Sequence, residues 1–401
     1  MDYEHVKSMA MRDMYIDSDC IYFSNHTFNA LIAMNKENGE FQFVKSFNKD
    51  EFWMKGLHRR VIKYRKSLFF FPDASKGITK YNLDTREMDF FKSNEKVLDL
   101  ADAILFGKNV YLIPKSINQP LYLFDMENYC YESKDSWNSM IMEKVNVNTE
   151  IMIWPPCTIG RTIWVLLKDL NVVIETSIDN WKLEFYCFER NILFDSITSD
   201  GENIWLASGT NDVVICWNKD RGVIKEYVLS DFRSKKSVRD ISRLIFIQDR
   251  IVVLPKKEKE IFVINLTGSI NVITLPHLQH VSDPARGELF PLFSGCTTYD
   301  GEVYLLPWAA DKMYKLNLDT YDITEFDTTF KDVKSYYINI LRNSETWQDI
   351  NPIIEDKRFY RSIDLNEYLY IIINDSWDYK QNVDNKEIYG CNIYDLMDKG
   401  M

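Results

Sequence analysis

Val303-Tyr304-Leu305-Leu306-Pro307 stands behind an Asp300-Gly301 pair and ahead of Met313-Tyr314-Lys315-Leu316-Asn317-Leu318-Asp319-Thr320, and this stretch decides the fold. Asp-Gly is the sequence of a tight hairpin turn. The closing Asn-Leu-Asp-Thr supplies turn residues at the end of the next run. Outward from here, the same short apolar run, usually with an aromatic at its second place, keeps returning. It is Ile21-Tyr22-Phe23, Leu68-Phe69-Phe70-Phe71-Pro72, Val110-Tyr111-Leu112-Ile113-Pro114 and Ile163-Trp164-Val165-Leu166. It is then Ile204-Trp205-Leu206-Ala207, Ile251-Val252-Val253-Leu254-Pro255 and finally Leu369-Tyr370-Ile371-Ile372. Successive starts lie 47, 42, 53, 41, 47, 52 and 66 residues apart.

Each run is followed by a polar turn and a second apolar run, as in 77–85, 120–128, 213–221 and 261–268. A third run usually follows, as in 41–47, 88–91, 223–228, 272–275 and 323–326, and another run precedes the aromatic one. Each unit thus reads as four short strands joined by hairpins. A four-stranded unit of about 40–50 residues, repeated seven or eight times, is the signature of a β-propeller blade. A helical solenoid is excluded because apolar spacings of three and four do not recur. The expected fold is all-β, a single closed β-propeller of eight repeat units, with seven blades as the alternative. The units fall at about 9–47, 58–91, 101–133, 151–188, 194–229, 242–275, 294–327 and 359–397. Residues 328–358 form a polar insertion, and Tyr3 to Val6 is a candidate outer strand for the irregular eighth unit. Closure matters because an open ring would leave sheet edges unpaired.

The periodicity resembles the kelch and YVTN-type propeller superfamily over nearly the whole chain. The double glycine of kelch repeats is missing, and Trp377-Asp378 is isolated and displaced from the place where WD repeats end. The resemblance implies a propeller and names no functional family.

The chain has 401 residues, 46% hydrophobic and 27% charged, which excludes wholesale disorder. Aromatics reach 14% and favour strands. A net charge of −12 argues against a nucleic-acid or anionic-membrane partner, since both demand a basic surface. No apolar run approaches the roughly eighteen residues of a membrane span, and the start of the chain has no apolar core of signal-peptide length. A cytoplasmic protein is expected. Seven cysteines without a CxxC make a disulfide framework or zinc ribbon an unsuitable reading. No cofactor or metal is expected.

Propeller ligands sit at one mouth of the central channel, where the innermost strand of each blade begins. Counting back nine residues from each aromatic run gives Arg12, Arg59, Ala101, Trp154, Asp195, Ser242, Ser294 and Tyr360. One residue later the places are Asp13, Arg60, Asp102, Pro155, Ser196, Arg243, Gly295 and Arg361. Of sixteen arginines in the chain, five fall in these sixteen places, a concentration in an acidic protein. Arginine holds carboxylate or phosphate in a planar fork, and Trp154 and Tyr360 offer stacking surfaces. The expected ligand-binding set is Arg12, Arg59, Arg60, Trp154, Asp195, Arg243, Tyr360 and Arg361.

His277 and His280, with Arg286 and Glu288 in the same loop, and His58 at the second unit's entrance, are candidate acid–base groups. Cys157 and Cys296 fall on innermost strands, where a small buried thiol is the simpler reading. The chain has no P-loop, GxGxxG, HExxH or GxSxG. Two functions follow. The first is a recognition module without catalysis, gripping a peptide, protein or anionic ligand with mouth residues and with loops at 48–60, 129–150, 229–240, 276–293 and 328–358. The alternative is a lyase, cyclase or hydrolase with its chemistry at the same mouth.

Overall fold

The computed structural model describes residues 10–26, 30–45, 47, 56–93, 98–145, 150–168, 170–188, 192–232, 241–279 and 291–327. They form seven four-stranded antiparallel sheets, each built from four consecutive strands. Blade 1 holds β1 (Tyr15–Ile16), β2 (Cys20–Ser24), β3 (Leu31–Asn35) and β4 (Phe41–Lys45). Blade 2 holds β5 (His58–Tyr64), β6 (Ser67–Pro72), β7 (Gly77–Asn82) and β8 (Met88–Lys92). Blade 3 holds β9 (Leu100–Phe106), β10 (Asn109–Pro114), β11 (Leu121–Asp125) and β12 (Cys130–Lys134). Blade 4 holds β13 (Cys157–Ile159), β14 (Thr162–Leu167), β15 (Val172–Ser177) and β16 (Leu183–Cys187). Blade 5 holds β17 (Ser196–Ser199), β18 (Ile204–Ser208), β19 (Val213–Asn218) and β20 (Gly222–Val228). Blade 6 holds β21 (Ile241–Ile247), β22 (Arg250–Pro255), β23 (Glu260–Asn265) and β24 (Ile270–Thr274). Blade 7 holds β25 (Phe293–Tyr299), β26 (Glu302–Pro307), β27 (Lys312–Asn317) and β28 (Ile323–Asp327).

The recurring apolar run is the second strand of each blade, and its chemistry follows from its place. In β18, Ile204 and Leu206 join a cluster with Trp164 and Leu166 of blade 4, while Trp205 and Ala207 join one with Ile251 and Val253 of blade 6. A strand covered on both faces is apolar throughout rather than alternating. The aromatic at the second place turns toward the following blade: Phe69 packs among blade 3 residues, Tyr111 among blade 4, Trp164 among blade 5. Each such side chain contributes roughly 1.5–3 kcal/mol by leaving water.

The hairpins between strands carry their own code. Asp300 and Gly301 both have positive φ, 49° and 77°, as a type I′ turn requires. Asp200-Gly201 opens differently, because the Asp200 carboxylate accepts the N–H groups of Glu202 and Asn203 and the Trp205 indole N–H. Between the third and fourth strands, Asn35, Asn82, Asp125 and Asn317 at equivalent places each accept the amides two and three residues on. These Asx turns fix hairpins whose closing residue takes positive φ, Gly39 in blade 1 and Arg86, Tyr129 and Tyr321 in blades 2, 3 and 7.

Blade 7 meets blade 1 directly. Met11 N donates to Pro307 O at 3.0 Å, and Ser294 Oγ donates to Met11 O at 2.6 Å. The Arg12 guanidinium carbon lies 3.6 Å from the centroid of the Trp308 ring, whose other neighbour is the His26 ring at 4.1 Å. The first and last described blades are therefore neighbours, and seven blades complete the circle. Of the two expected counts, the described residues show the alternative, seven blades, rather than eight; the eighth unit, the insertion 328–358 and Tyr3 to Val6 lie outside the described residues. The expected loop 129–150 contains β12 and a helix, α1 (Asp135–Val145). Trp137 and Ile141, one turn apart, are both buried, and the Trp137 indole N–H donates to Thr176 Oγ1 of blade 4 at 3.1 Å.

Replacing Trp308 by Ala removes the contact that Arg12 and His26 share at the closing junction. It is expected to lower the urea midpoint by an amount equivalent to about 3–5 kcal/mol, the cost of truncating a buried tryptophan. One cooperative transition is expected by both fluorescence and circular dichroism, since no blade buries its faces alone.

Candidate functional site

Four of the seven apolar runs end in proline: Pro72, Pro114, Pro255 and Pro307. Proline has no N–H to give to the neighbouring strand. At those four places the ladder to the innermost strand slips by one residue. His58 pairs with Pro72 and Arg60 with Phe71, leaving Arg59 over. Leu100 pairs with Pro114 and Asp102 with Ile113, leaving Ala101 over. Ser242 and Ser294 are left over in the same way opposite Pro255 and Pro307. A bulge sets two residues against one and re-aims side chains that strict alternation would send to opposite faces. Both members of the pairs Arg59/Arg60, Ala101/Asp102 and Ser242/Arg243 then line the mouth, and Ser294 does so in blade 7. The two registers read from the sequence are for this reason both represented in one cavity.

That cavity encloses about 110 Å³. Arg12, Arg59, Arg60 and Arg243 line it together with Asp102, Asp195, Ser196, Ser242 and Ser294, and its apolar wall is Ala101, Trp154, Pro155, Pro291 and Phe293. Four of the five arginines singled out by spacing converge here; Arg361, like Tyr360, lies outside the described residues. Phe293, Pro291 and Asp73 were not legible as site residues. Asp73 follows Pro72 and faces two arginines, with Arg12 Nε at 3.6 Å and Arg59 Nη1 at 3.9 Å.

Two guanidinium groups are held by main-chain carbonyls of the following blade. Arg59 Nε donates to Ala101 O at 3.0 Å, and Arg243 Nη1 donates to Ser294 O at 2.7 Å. A Cβ on Gly295 would lie 3.0 Å from Arg243 Nη1, so the absence of a side chain there leaves room for this contact. Arg60 Nε stands 3.4 Å from Asp13 Oδ2 and 3.7 Å from Asp102 Oδ1, while Arg243 Nη2 stands 3.9 Å from Asp102 Oδ2. Blades 3 and 6 are not adjacent, so Arg243 spans the hub to reach Asp102. Asp13 and then Asp102 push the Arg60 guanidinium further toward its charged form. Burial lowers the proton affinity of Arg243, and Arg59 and Arg60 add to this by repulsion. Burial also raises the Asp13 carboxyl.

Asp102 is available for this role because of a second proline. Around the hub, a side chain of one blade accepts the N–H of the next innermost strand: Asp13 Oδ2 from Val61 at 2.9 Å, and Ser196 Oγ from Leu244 at 2.8 Å. The equivalent acceptor in blade 3 is Asp102, and its would-be donor is Pro156, which has no N–H. Asp102 instead accepts its neighbour Ala103 N at 2.8 Å and turns the rest of its carboxylate to the arginines.

The acid–base candidates do not gather at the mouth. His58 is buried between blades 1 and 2, its Nδ1 2.9 Å from Ser24 Oγ and its ring against Phe47 and Phe70. The bulge explains this: His58 stays in the ladder facing the core while Arg59 is displaced to the channel. His277 is on the outer rim, 77% exposed and 3.3 Å from Glu325 of β28. His280 and Glu288 lie outside the described residues. Cys157 and Cys296 do sit on innermost strands, and burial raises both thiols, Cys296 to about 12. Such thiols are inert as nucleophiles at neutral pH.

The chain is a β-propeller, and the proteins whose structures it resembles share that fold. A streptogramin B lyase superposes with a TM-score of 0.55 and 11% identity, covering 79% of this chain and 94% of the lyase. Virginiamycin B lyase of Staphylococcus aureus gives 0.54 and 6%, covering 76% and 93%. PorZ, a surface component of the type-IX secretion system of Porphyromonas gingivalis, gives 0.53 and 11%, covering 81% of this chain and 39% of PorZ. No protein-family model and no curated protein sequence matches the chain.

His58 makes the fold acid-sensitive. Burial lowers its pKa to about 3, whereas the unfolded chain carries an ordinary histidine near 6.5. The unfolded state alone binds that proton between these values, so its contribution to stability is full above about pH 6.5 and is lost as pH falls toward 3. One proton corresponds to about 1.4 kcal/mol per pH unit. His58→Gln is expected to flatten the dependence of urea stability on pH between 6.5 and 4 by about that slope relative to the unaltered protein.

Proposed function

We propose that this propeller is a recognition module without catalysis, which holds an anionic group of a peptide, protein or small ligand in the cup at its channel mouth. The observation that carries this reading is the pre-oriented set of arginines. Arg59 and Arg243 are each fixed through one N–H to a backbone carbonyl, and the remaining edges of their guanidinium groups border the cavity. The carboxylate neighbours of these two, Asp73 for Arg59 and Asp102 for Arg243, each stand at 3.9 Å, too far for the short bidentate fork an incoming anion would make. A charge-assisted hydrogen bond shielded from water is worth roughly 1.5–3 kcal/mol.

The alternative is a lyase, cyclase or hydrolase at the same mouth. It draws on the likeness to the streptogramin B lyase, which at 11% identity extends to the fold alone. Among the described residues the groups lining the cavity that could move a proton are Asp102 and Asp195, with no histidine, lysine or cysteine beside them. The six described cysteines are free thiols, which supports a reducing compartment such as the cytoplasm.

Replacing Arg59 and Arg243 together by Ala is expected to weaken a carboxylate- or phosphate-bearing ligand by about ten- to a hundredfold, measured by calorimetry. Both substitutions also remove a bond to a main-chain carbonyl of the following blade, so a lower melting temperature is expected and the affinity is read on protein that circular dichroism shows to be folded. Asp102→Asn keeps the acceptor for Ala103 N and removes the resident negative charge. It is expected to tighten anion binding severalfold, and weaker binding in this variant would assign Asp102 to the ligand rather than to the arginines.

A further inference from the structure

Resting on the anion cup proposed above, we infer that the group it takes is a carboxylate carried on a flat aromatic body. The ring order of the blades places Trp154 across the hub from Arg12, while Pro291 and Phe293 of blade 7 lie on the side of Arg12. Arg12 and Arg59 come from blades 1 and 2, and Trp154 and Pro155 precede β13 of blade 4, across the hub from the junction of blades 7 and 1. An anion on the arginines therefore presents whatever it is attached to toward Trp154. Inorganic phosphate has nothing to present there, and its second charge would meet Asp102 and Asp195.

Trp154 is built as a wall. Its backbone N donates to Leu166 O at 3.0 Å, and its side chain packs against the cluster shared by blades 4 and 5. One ring face has the Lys168 ammonium 5.6 Å away. The indole Nε1 is shielded from solvent and has no hydrogen-bond partner. A buried indole N–H ordinarily finds an acceptor. The Trp154 side chain lines the cavity, whose other apolar residues are Ala101, Pro155, Pro291 and the buried Phe293. A flat ring at this place gains stacking and apolar contact. The arene carboxylate reaches the cup either as a free small acid or as the end of a chain finishing in an aromatic residue.

Calorimetry on the full chain with benzoate, acetate, inorganic phosphate, and Gly-Gly-Phe with its C-terminal amide separates these cases. Benzoate or Gly-Gly-Phe is expected to bind about tenfold or more tightly than acetate, and the amide is expected to lose that binding. Tight Gly-Gly-Phe with weak benzoate identifies a chain terminus, and the reverse identifies a free acid. Trp154→Leu is expected to lower the affinity for benzoate or Gly-Gly-Phe by a larger factor than that for acetate, removing most of the aromatic advantage. Acetate or phosphate binding as tightly as the aromatic acids, yet lost in the Arg59→Ala/Arg243→Ala protein, overturns the aromatic requirement and leaves the anion cup standing. Loss of no binding in that arginine variant overturns the cup itself. The comparison among ligands on the unaltered protein decides the matter even where Trp154→Leu fails to fold.

Discussion

Burial of the second strand of each blade on both faces, against the blade before and the blade after, is the constraint on which everything else rests. A single four-stranded sheet has two apolar faces and nothing to cover them. Seven sheets in a circle cover one another, and the clusters of buried side chains lie between successive blades rather than within them. The stability of the molecule is then a sum of neighbour terms that exists only when the circle is complete. Closure here needs no exchanged strand among the described residues. Backbone bonds from the segment at Met11, with Arg12 and His26 against Trp308, bring blade 7 onto blade 1.

The repeat was legible because a doubly covered strand leaves a doubly apolar run, and such runs recur at blade spacing. The number of blades in the ring was less legible, because Leu369 to Ile372 has the same composition as a blade strand and composition does not record adjacency. The mouth was legible by counting, since the offset from the apolar run holds around the ring, although the innermost strand has seven residues in blades 2, 3, 6 and 7 and fewer in blades 1, 4 and 5. The uncertainty between Arg59 and Arg60, or Ser242 and Arg243, came from assuming strict alternation. The prolines at 72, 114, 255 and 307 carried the missing information, as each marks a bulge. His58 was misplaced for the same reason, one residue on the wrong side of that bulge. The helix at Asp135–Val145 hides in eleven residues with one buried stripe, too short a signal to stand out beside twenty-eight strands.

The fold shared with two lyases and a secretion component shows how little architecture constrains chemistry. What separates this chain is the content of its cup. A repeat places equivalent residues at equal heights around the hub, and the chain fills those heights unequally: arginines on blades 1, 2 and 6, acids on blades 3 and 5, an indole on blade 4. The asymmetry gives a symmetric frame a direction across its axis, so that a ligand with two unlike ends has one way to lie.

Pro156 has a consequence that reaches beyond the backbone. By withholding an N–H, it leaves Asp102 tethered beside the arginines as a resident anion. A tethered group competes at an effective concentration on the order of millimolar. Any anion that entered this cavity would lie against that fixed negative charge as well as against the arginines.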